Sequence, residues 1–314
     1  MTLPPFLQKR PAWLGPFVAL VVVYAVFGAL SPDNFLRAQN TISIAQKTVI
    51  VATCAVGMTM IISTGGIDLS TGSLVAFTAV LLARLLKAEH GVVFSVGVAL
   101  ACSTAVGAGV GYVVGRFDMK PFIVTLGTMS VLRGAAKGLA KEQTIMAPAQ
   151  GLDKLVAPNL QSPSLWIALS LAVLVACTLR YTRFGRHVFA VGSNEATARL
   201  CGIDTVRVKV MVYALASLLA GVAGVIQFST LTVGDPTDSV GLELKVIAAV
   251  VIGGAPLTGG EGSVAGAVFG ALLMTVIDSG GVSREWPNWV QEIATGAIIV
   301  VAVALDRARN QRRR

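Results

Sequence analysis

Long apolar runs separated by short polar breaks make up most of the chain. A membrane-spanning helix needs about 20 mostly apolar residues, and ten runs reach or approach that length. The predicted spans are 12–30, 43–63, 69–86, 92–115, 121–139, 164–181, 208–231, 242–257, 264–280 and 289–306. The pattern predicts an all-α, polytopic membrane protein with about ten transmembrane helices.

Glycines interrupt the region of the eighth and ninth predicted spans. Gly253 and Gly254 are soon followed by Gly259 and Gly260, and glycine permits sharp changes of backbone direction. Non-helical backbone is tolerated at membrane depth where protein or a water-filled cavity surrounds it. We therefore expect either two regular spans here or one broken or re-entrant helix.

Small residues recur at four-residue spacing, a pattern that lets membrane helices approach closely. The two series are Gly107, Gly111 and Gly115, and Gly262, Gly266 and Gly270. They predict a tightly packed bundle rather than single helices surrounded by lipid.

The stretch TGGIDLSTGS, residues 64–73, forms the polar break between the second and third predicted spans. Gly65 and Gly66 are predicted to end the second span, because glycine accommodates a sharp reversal. Asp68 or Ser70 is predicted to cap the third span by accepting its first, otherwise unpaired N–H groups. The second interpretation of this break is a gate at the inner mouth or a contact with a partner.

The composition supports the membrane interpretation. Of the 314 residues, 54% are hydrophobic and only 13% are charged, whereas soluble domains carry about 25% charged residues. The net charge of +9 matters through its distribution, because Lys and Arg in loops set membrane orientation. The two densest basic clusters, 180–209 and 312–314, fall on one side of the predicted topology, which favours an even number of spans with both termini in the cytoplasm.

The domain organisation follows from these spans. We predict a cytoplasmic N-terminus over 1–11, a single transmembrane domain over 12–306 and a basic cytoplasmic tail over 307–314. The apolar run after Lys9 and Arg10 exceeds the apolar region of a signal peptide and lacks a clear cleavage site. It is therefore predicted to be a retained first span.

The inner loop, at about 182–207, contains a short helix signal of its own. In SNEATARLCGI, residues 193–203, Ser193 or Asn194 can cap the helix start. Glu195 suits the positive N-terminal end of the helix dipole, and Gly202 is a natural stop. The loop therefore predicts roughly two turns of exposed helix on the cytoplasmic side.

Several enzyme motifs are absent from the sequence. No lysine follows a glycine, so the phosphate-binding loop G-x-x-x-x-G-K-[ST] is missing. There is no G-x-S-x-G elbow, and two histidines alone do not make a zinc motif. A membrane-embedded hydrolase or metalloenzyme is therefore disfavoured, and neither a cofactor nor a metal is expected. The cysteines are expected to be small buried hydrophobes rather than a disulfide framework: Cys54, Cys102, Cys177 and Cys201.

Few ionisable groups lie deep within the predicted spans, whereas carriers driven by protons or sodium often use such groups as a relay. Hydroxyl and amide side chains suit a neutral polar solute, although they also serve as hydrogen bonds between helices. The candidate pathway residues are Thr125, Thr128, Ser130, Gln227 and Ser229.

Four stretches, in order along the chain, carry a family resemblance. They are STGGIDLSTGS at 63–73, KPFIVTLGTMSVLRGAAKGL at 120–139, GSNEATARLCGI at 192–203 and GLELKVIAAVVIGGAPLTGGEGS at 241–263. The sequence resembles the membrane subunit of sugar-importing ABC transporters, the ribose/xylose/galactose-type permease family, over about 12–306. Thr71 and Lys245 depart from that family's pattern.

The resemblance implies an inner-membrane permease of a bacterium that imports a monosaccharide, a pentose or a hexose, without an ATPase site of its own. The implied partners are a second permease copy or a related permease, a tandem-domain ATP-binding subunit, and an extracytoplasmic sugar-binding protein. The residues implied to dock on the ATPase are Asn194, Glu195, Ala196, Arg199 and Gly202. The alternatives are import of another small polar solute (a nucleoside, polyol, sugar-derived signal or branched amino acid), a secondary carrier, and a membrane enzyme.

Overall fold

Helices form most of the chain that the computed structural model describes, namely residues 13–157, 159, 161–287, 289–298 and 300. In chain order they are α1 (Leu14–Leu30), α2 (Pro32–Phe35), α3 (Ala38–Ser63), α4 (Thr71–Lys87), α5 (Val92–Arg116), α6 (Pro121–Ala140), α7 (Pro163–Tyr181), α8 (Arg183–Ser193), α9 (Glu195–Leu200), α10 (Thr205–Leu231), α11 (Leu242–Ile252) and α12 (Val264–Ser283). Residues 289–298 and 300 are also helical. Two short strands, β1 (Ile145–Met146) and β2 (Val233–Gly234), pair antiparallel, and Leu152–Leu155 form a 3-10 helix.

The helices follow the predicted spans closely. The largest differences are that α3 begins at Ala38 rather than at 43 and that α11 ends at Ile252 rather than at 257. By length and hydropathy, five helices of the described chain could cross a membrane, namely α3, α5, α7, α10 and α12, and the apolar α1 is shorter. A mostly helical, polytopic protein is therefore confirmed, while the count of ten spans stays a prediction. The chain termini and the end of the tenth predicted span lie outside the described residues.

Helix α10 occupies the centre of the bundle and packs against α5, α3 and α4. The glycine series of α5 faces it, and a Cβ atom built on Gly111 would lie 2.7 Å from the carbonyl oxygen of Lys209. Gly107 and Gly115 face the α10 backbone in the same way. The absence of a side chain lets the two backbones touch, which confirms the packing role predicted from the spacing.

The second glycine series joins α12 to its neighbours. Gly266 and Gly270 face carbonyl oxygens of Gly253 and Ala249 at the α11–α12 contact, and Gly262 faces the Ser63 side chain at the end of α3. Both predicted series therefore lie at helix contacts.

Helix α11 is shorter than a span. Its 11 residues extend about 16 Å, which is about half of a hydrocarbon core of about 30 Å. It ends where Gly254 adopts a left-handed φ of 91°, a conformation that costs glycine little, and Gly259 and Gly260 adopt the same conformation before α12 begins. The predicted span over 242–257 is therefore too long, since α11 ends at Ile252 and a turn separates it from α12, while a broken or re-entrant span stays a prediction.

The inner loop also differs from its prediction. Two helices, α8 and α9, occupy it where one short helix was expected. Thr182 begins α8 by accepting a hydrogen bond from the backbone N–H of Gly185, a side-chain cap that the sequence argument overlooked.

Candidate functional site

Helix α9 begins and ends at the residues that its sequence predicts. The Asn194 side chain accepts a hydrogen bond from the backbone N–H of Thr197, with 2.9 Å between the two atoms. Gly202 takes a left-handed φ of 82° just past Leu200, where the helix ends. Of the two capping candidates, Asn194 is therefore the cap.

Glu195 anchors α9 to the bundle. Its carboxylate lies 2.8 Å from Arg199 Nη2 and 2.8 Å from Lys209 Nζ, and Lys209 is buried in α10. Arg199 Nε also donates to the hydroxyl of Thr205. Burial acts to raise the pKa of Glu195, but the hydrogen bonds and charges of Lys209 and Arg199 outweigh it, so the pKa lies below its ordinary value.

The remaining residues predicted to dock on a partner face outward. Asn194, Ala196, Arg199 and Gly202 are exposed, as is Leu200 at the end of α9. The surface formed by these five residues is called the α9 surface below. Glu195 differs from them, because it faces α10 and fixes the position of the helix.

The break between α3 and α4 is a mostly buried turn, in which Gly65 is exposed. Gly65 adopts a left-handed φ of 79°, and the Ser63 carbonyl accepts a hydrogen bond from the backbone N–H of Gly260. Gly66 lies against the hydroxyl of Tyr213, since a Cβ atom on this glycine would be 2.6 Å from that oxygen. The break therefore contacts both the turn after α11 and helix α10.

Asp68 and Ser70 bond to each other within this break. Asp68 Oδ1 accepts from the backbone N–H of Ser70 at 2.7 Å and from its hydroxyl at 2.6 Å. Ser70 stands at the N-cap position of α4, but its side chain makes no capping hydrogen bond. The predicted side-chain cap is thus replaced by a local Asp68–Ser70 turn, because the serine hydroxyl already donates to the carboxylate.

A cavity of about 190 Å³ lies between this break and the turn that joins α5 to α6. We call it the inner cavity. Its lining combines backbone of the break, four charged side chains and one tyrosine. The lining residues are Thr64, Gly65, Gly66, Val114, Asp118, Met119, Lys120, Pro121, Glu195, Lys209 and Tyr213.

The five candidate pathway residues divide into two groups. Thr125 is buried and its hydroxyl donates to the Ile67 carbonyl in the break, while Gln227 donates to the Asp238 carboxylate in the segment before α11. Arg133 of α6 holds that segment by donating to the carbonyls of Pro236 and Asp238. The other three hydroxyls donate to carbonyls of their own helices: Thr128, Ser130 and Ser229.

Lys245 and Asp278 form an ion pair between α11 and α12, with 2.6 Å between Nζ and Oδ2. Their side chains remain 33% and 26% exposed. The sequence singled out Lys245 but gave no signal for its pairing with Asp278, because 33 positions separate the two residues in the chain.

The four cysteines are free thiols with different exposures. Cys54 is buried as expected, Cys102 is intermediate, and Cys177 and Cys201 are exposed. The expectation that all are buried is wrong for the last two, which lie on outward faces of α7 and of the inner loop. Within the described residues, no group of three or more His, Cys, Asp or Glu side chains is placed to hold a metal ion.

Comparison with known proteins identifies the family and several relatives of this chain. Residues 40–303 match the family described as branched-chain amino acid transport system / permease component. The chain is 36% identical to the ribose import permease protein RbsC of Escherichia coli K12, over 94% of each chain. It is 33% identical to the L-arabinose ABC transporter permease protein AraH of Azospirillum brasilense, over 96% of this chain and 89% of that protein.

A third relative is the autoinducer 2 import system permease protein LsrC of Salmonella typhi, 32% identical over 92% of this chain and 84% of that protein. No solved structure matches the chain.

Proposed function

The chain belongs to the branched-chain amino acid transport system / permease component family, and we propose that it is the membrane permease subunit of an ABC importer for a monosaccharide. The observation that carries this proposal is the similarity to ribose and arabinose permeases over nearly the whole chain. A multi-pass inner-membrane location follows, and the long apolar helices agree with it. The proposed solute is a pentose or a hexose.

We propose that the α9 surface docks on a separate ATP-binding subunit. Four of the five predicted docking residues are exposed, and the fifth, Glu195, ties α9 to α10 through Lys209. A helix that is exposed on one side and anchored on the other can transmit a displacement from a partner to the bundle. The tandem-domain form of that partner, the absence of an ATPase site in this chain and the extracytoplasmic sugar-binding protein belong to the same proposal.

The Lys245–Asp278 pair supports a second permease subunit. Charged side chains in membrane helices face protein or water rather than lipid, and this pair is partly exposed on α11 and α12. We therefore propose that this face adjoins the pathway or a second permease, either another copy or a related chain. Ten spans with both termini in the cytoplasm complete the proposed arrangement.

Import of a sugar-derived signal is the second candidate function. The similarity to an autoinducer 2 permease favours it, since the identity of 32% is close to that of the sugar permeases. The solute pathway would use the same neutral polar groups in either case.

Purification of the complex and reconstitution with its binding protein test the proposal. We expect an ATPase subunit to co-purify, and one monosaccharide with its binding protein to stimulate ATP hydrolysis and uptake. Stimulation by autoinducer 2 alone would select the second candidate. Uptake that a protonophore abolishes while ATP is held constant would overturn the ABC importer in favour of a secondary carrier.

A further inference from the structure

The inner cavity has a balanced set of charges. Its charged lining consists of Asp118 and Glu195 against Lys120 and Lys209. Equal numbers of acidic and basic groups give little preference for an anion or a cation, whereas both kinds of group form hydrogen bonds with hydroxyls. The lining therefore suits a neutral, hydroxyl-rich ligand.

Tyr213 lines this cavity and carries a fully buried hydroxyl without a partner in the described chain. Its side chain is 1% exposed, and its hydroxyl has no hydrogen-bond partner among the described residues. The hydroxyl lies beside Gly66, which also lines the cavity. Because a buried hydroxyl without a partner costs free energy, a ligand that supplies a hydrogen bond here would be stabilised.

The volume is on the scale of a small ligand. A cavity of about 190 Å³ has room for several water-sized groups. A single monosaccharide is a ligand of this size class.

We propose that the inner cavity is the release site at which the transported monosaccharide makes its last contacts before it enters the cytoplasm. This inference rests on the proposed function and adds a location to it. The Tyr213 hydroxyl, the Asp118 carboxylate and the Lys120 amine form hydrogen bonds with sugar hydroxyls. Binding at such a site is weak, because a solute on a pathway must leave as readily as it enters.

Glu195 couples this site to α9. The same carboxylate lines the cavity and bonds Lys209 and Arg199. A displacement of α9 by the ATPase therefore changes part of the cavity lining, and the glycine-containing break at 64–66 forms another part of it. Nucleotide-driven movement of α9 would open or close the release site directly.

Cysteine protection tests the proposal in the complete complex. Met119→Cys places a thiol in the cavity lining, and Lys154→Cys, at an exposed position in the loop between α6 and α7 and outside that lining, serves as the control. The four native cysteines are replaced by alanine, each new cysteine is placed in its own variant, and the complex is reconstituted in nanodiscs. The probes are D-ribose, L-arabinose and D-glucose.

We expect the sugar that the complex transports to slow maleimide labelling at position 119 and to leave labelling at position 154 unchanged. Tyr213→Phe keeps the ring but removes one hydrogen bond, so the sugar concentration needed for half-protection should rise about five- to ten-fold. Asp118→Asn, at an exposed position, provides the same measurement should the tyrosine variant fail to assemble.

ATP-driven uptake by the same complex in proteoliposomes distinguishes failure of the proposed function from failure of the release site alone. Uptake of none of the three sugars would overturn the proposed function. Uptake without protection at position 119, or with equal protection of both cysteines, would overturn the release site alone. Protection that neither Tyr213→Phe nor Asp118→Asn weakens would also overturn it.

Discussion

Asp68 is a buried carboxylate whose hydrogen bonds stay within its own turn. Its side chain is 3% exposed and its Oδ1 atom accepts both the backbone N–H and the hydroxyl of Ser70. An amide oxygen can accept the same two bonds, whereas a methyl group cannot. The turn therefore requires the acceptor atom, and a charge is needed only if Asp68 takes part in transport as an ion.

The substitutions Asp68→Ala and Asp68→Asn separate these roles. Asp68→Ala leaves two buried donors of Ser70 without a partner, and we expect it to lower the free energy of unfolding by about 1–3 kcal/mol. Asp68→Asn keeps the acceptor and should retain both stability and uptake. Thermal unfolding of the purified permease and sugar uptake by the reconstituted complex are the measurements. An Asn variant that is stable but inactive would assign a charge-specific role to Asp68.

Close backbone contact between α5 and α10 is the main element-scale feature of the bundle. It occurs along the glycine series, with Gly111 placed directly on the backbone at Lys209 and Val210. Gly109 lies on the same helix but has nothing within 4 Å of the place its Cβ would occupy. The two glycines therefore lie on the same helix at a similar depth, but only Gly111 faces the backbone of another helix.

Gly111→Ala and Gly109→Ala form a matched pair. The methyl group of Gly111→Ala would lie 2.7 Å from Val210 Cα, so the helices must separate, at a cost of about 1–3 kcal/mol. Gly109→Ala meets open space and should be neutral or stabilising by up to about 1 kcal/mol, because alanine favours the helix. Melting temperatures of the two purified variants check this difference. Equal melting temperatures would contradict the inferred contact.

At the element scale, the sequence predicted only those features that depend on residues close together in the chain. Apolar runs define helices within a few residues, and the spacing of Gly107, Gly111 and Gly115 indicates a contact face without saying which helix it meets. The Glu195–Lys209 and Lys245–Asp278 pairs join different helices across 14 and 33 positions. Their pairing depends on how the helices pack, which no local pattern specifies.

The length of α11 could not be predicted from the sequence for a similar reason. The glycines at 253–260 predict an interruption, but whether the apolar residues before it form a full span depends on what surrounds them. The unpredicted β1–β2 pair also joins distant segments, Ile145 opposite Gly234. In the same way, no local pattern identified Tyr213. Only the position of its hydroxyl beside Gly66 in the structure places it at the candidate site.

At the scale of the whole molecule, the proposal depends on which side of the membrane carries α8 and α9. The inner loop holds a dense basic cluster at 180–209, and such clusters remain in the cytoplasm. Glu195 belongs to helix α9 and also lines the inner cavity, so the α9 surface and the inner cavity must lie on the same side of the membrane, that of the ATP-binding subunit. The loop between α6 and α7 must then face the opposite side.

Two exposed positions test this orientation directly. Cys201 lies at the end of α9 and is exposed, and Lys154 is exposed in the loop between α6 and α7. In a variant that keeps only Cys201, we expect a membrane-impermeant maleimide to label inside-out vesicles from which the ATP-binding subunit has been removed, but not intact cells. In a variant whose single cysteine is Lys154→Cys, labelling should occur in intact cells.

The two single-cysteine variants control for each other, because the same reagent and the same cells must give opposite results. Retained sugar uptake by both variants would establish that the labelled chains are correctly folded. Labelling of Cys201 in intact cells would place α9 outside the cell, where no ATP-binding subunit could reach it. The α9 surface could then neither transmit force from ATP hydrolysis nor control release into the cytoplasm, so this one result would remove both the coupling proposal and the release site.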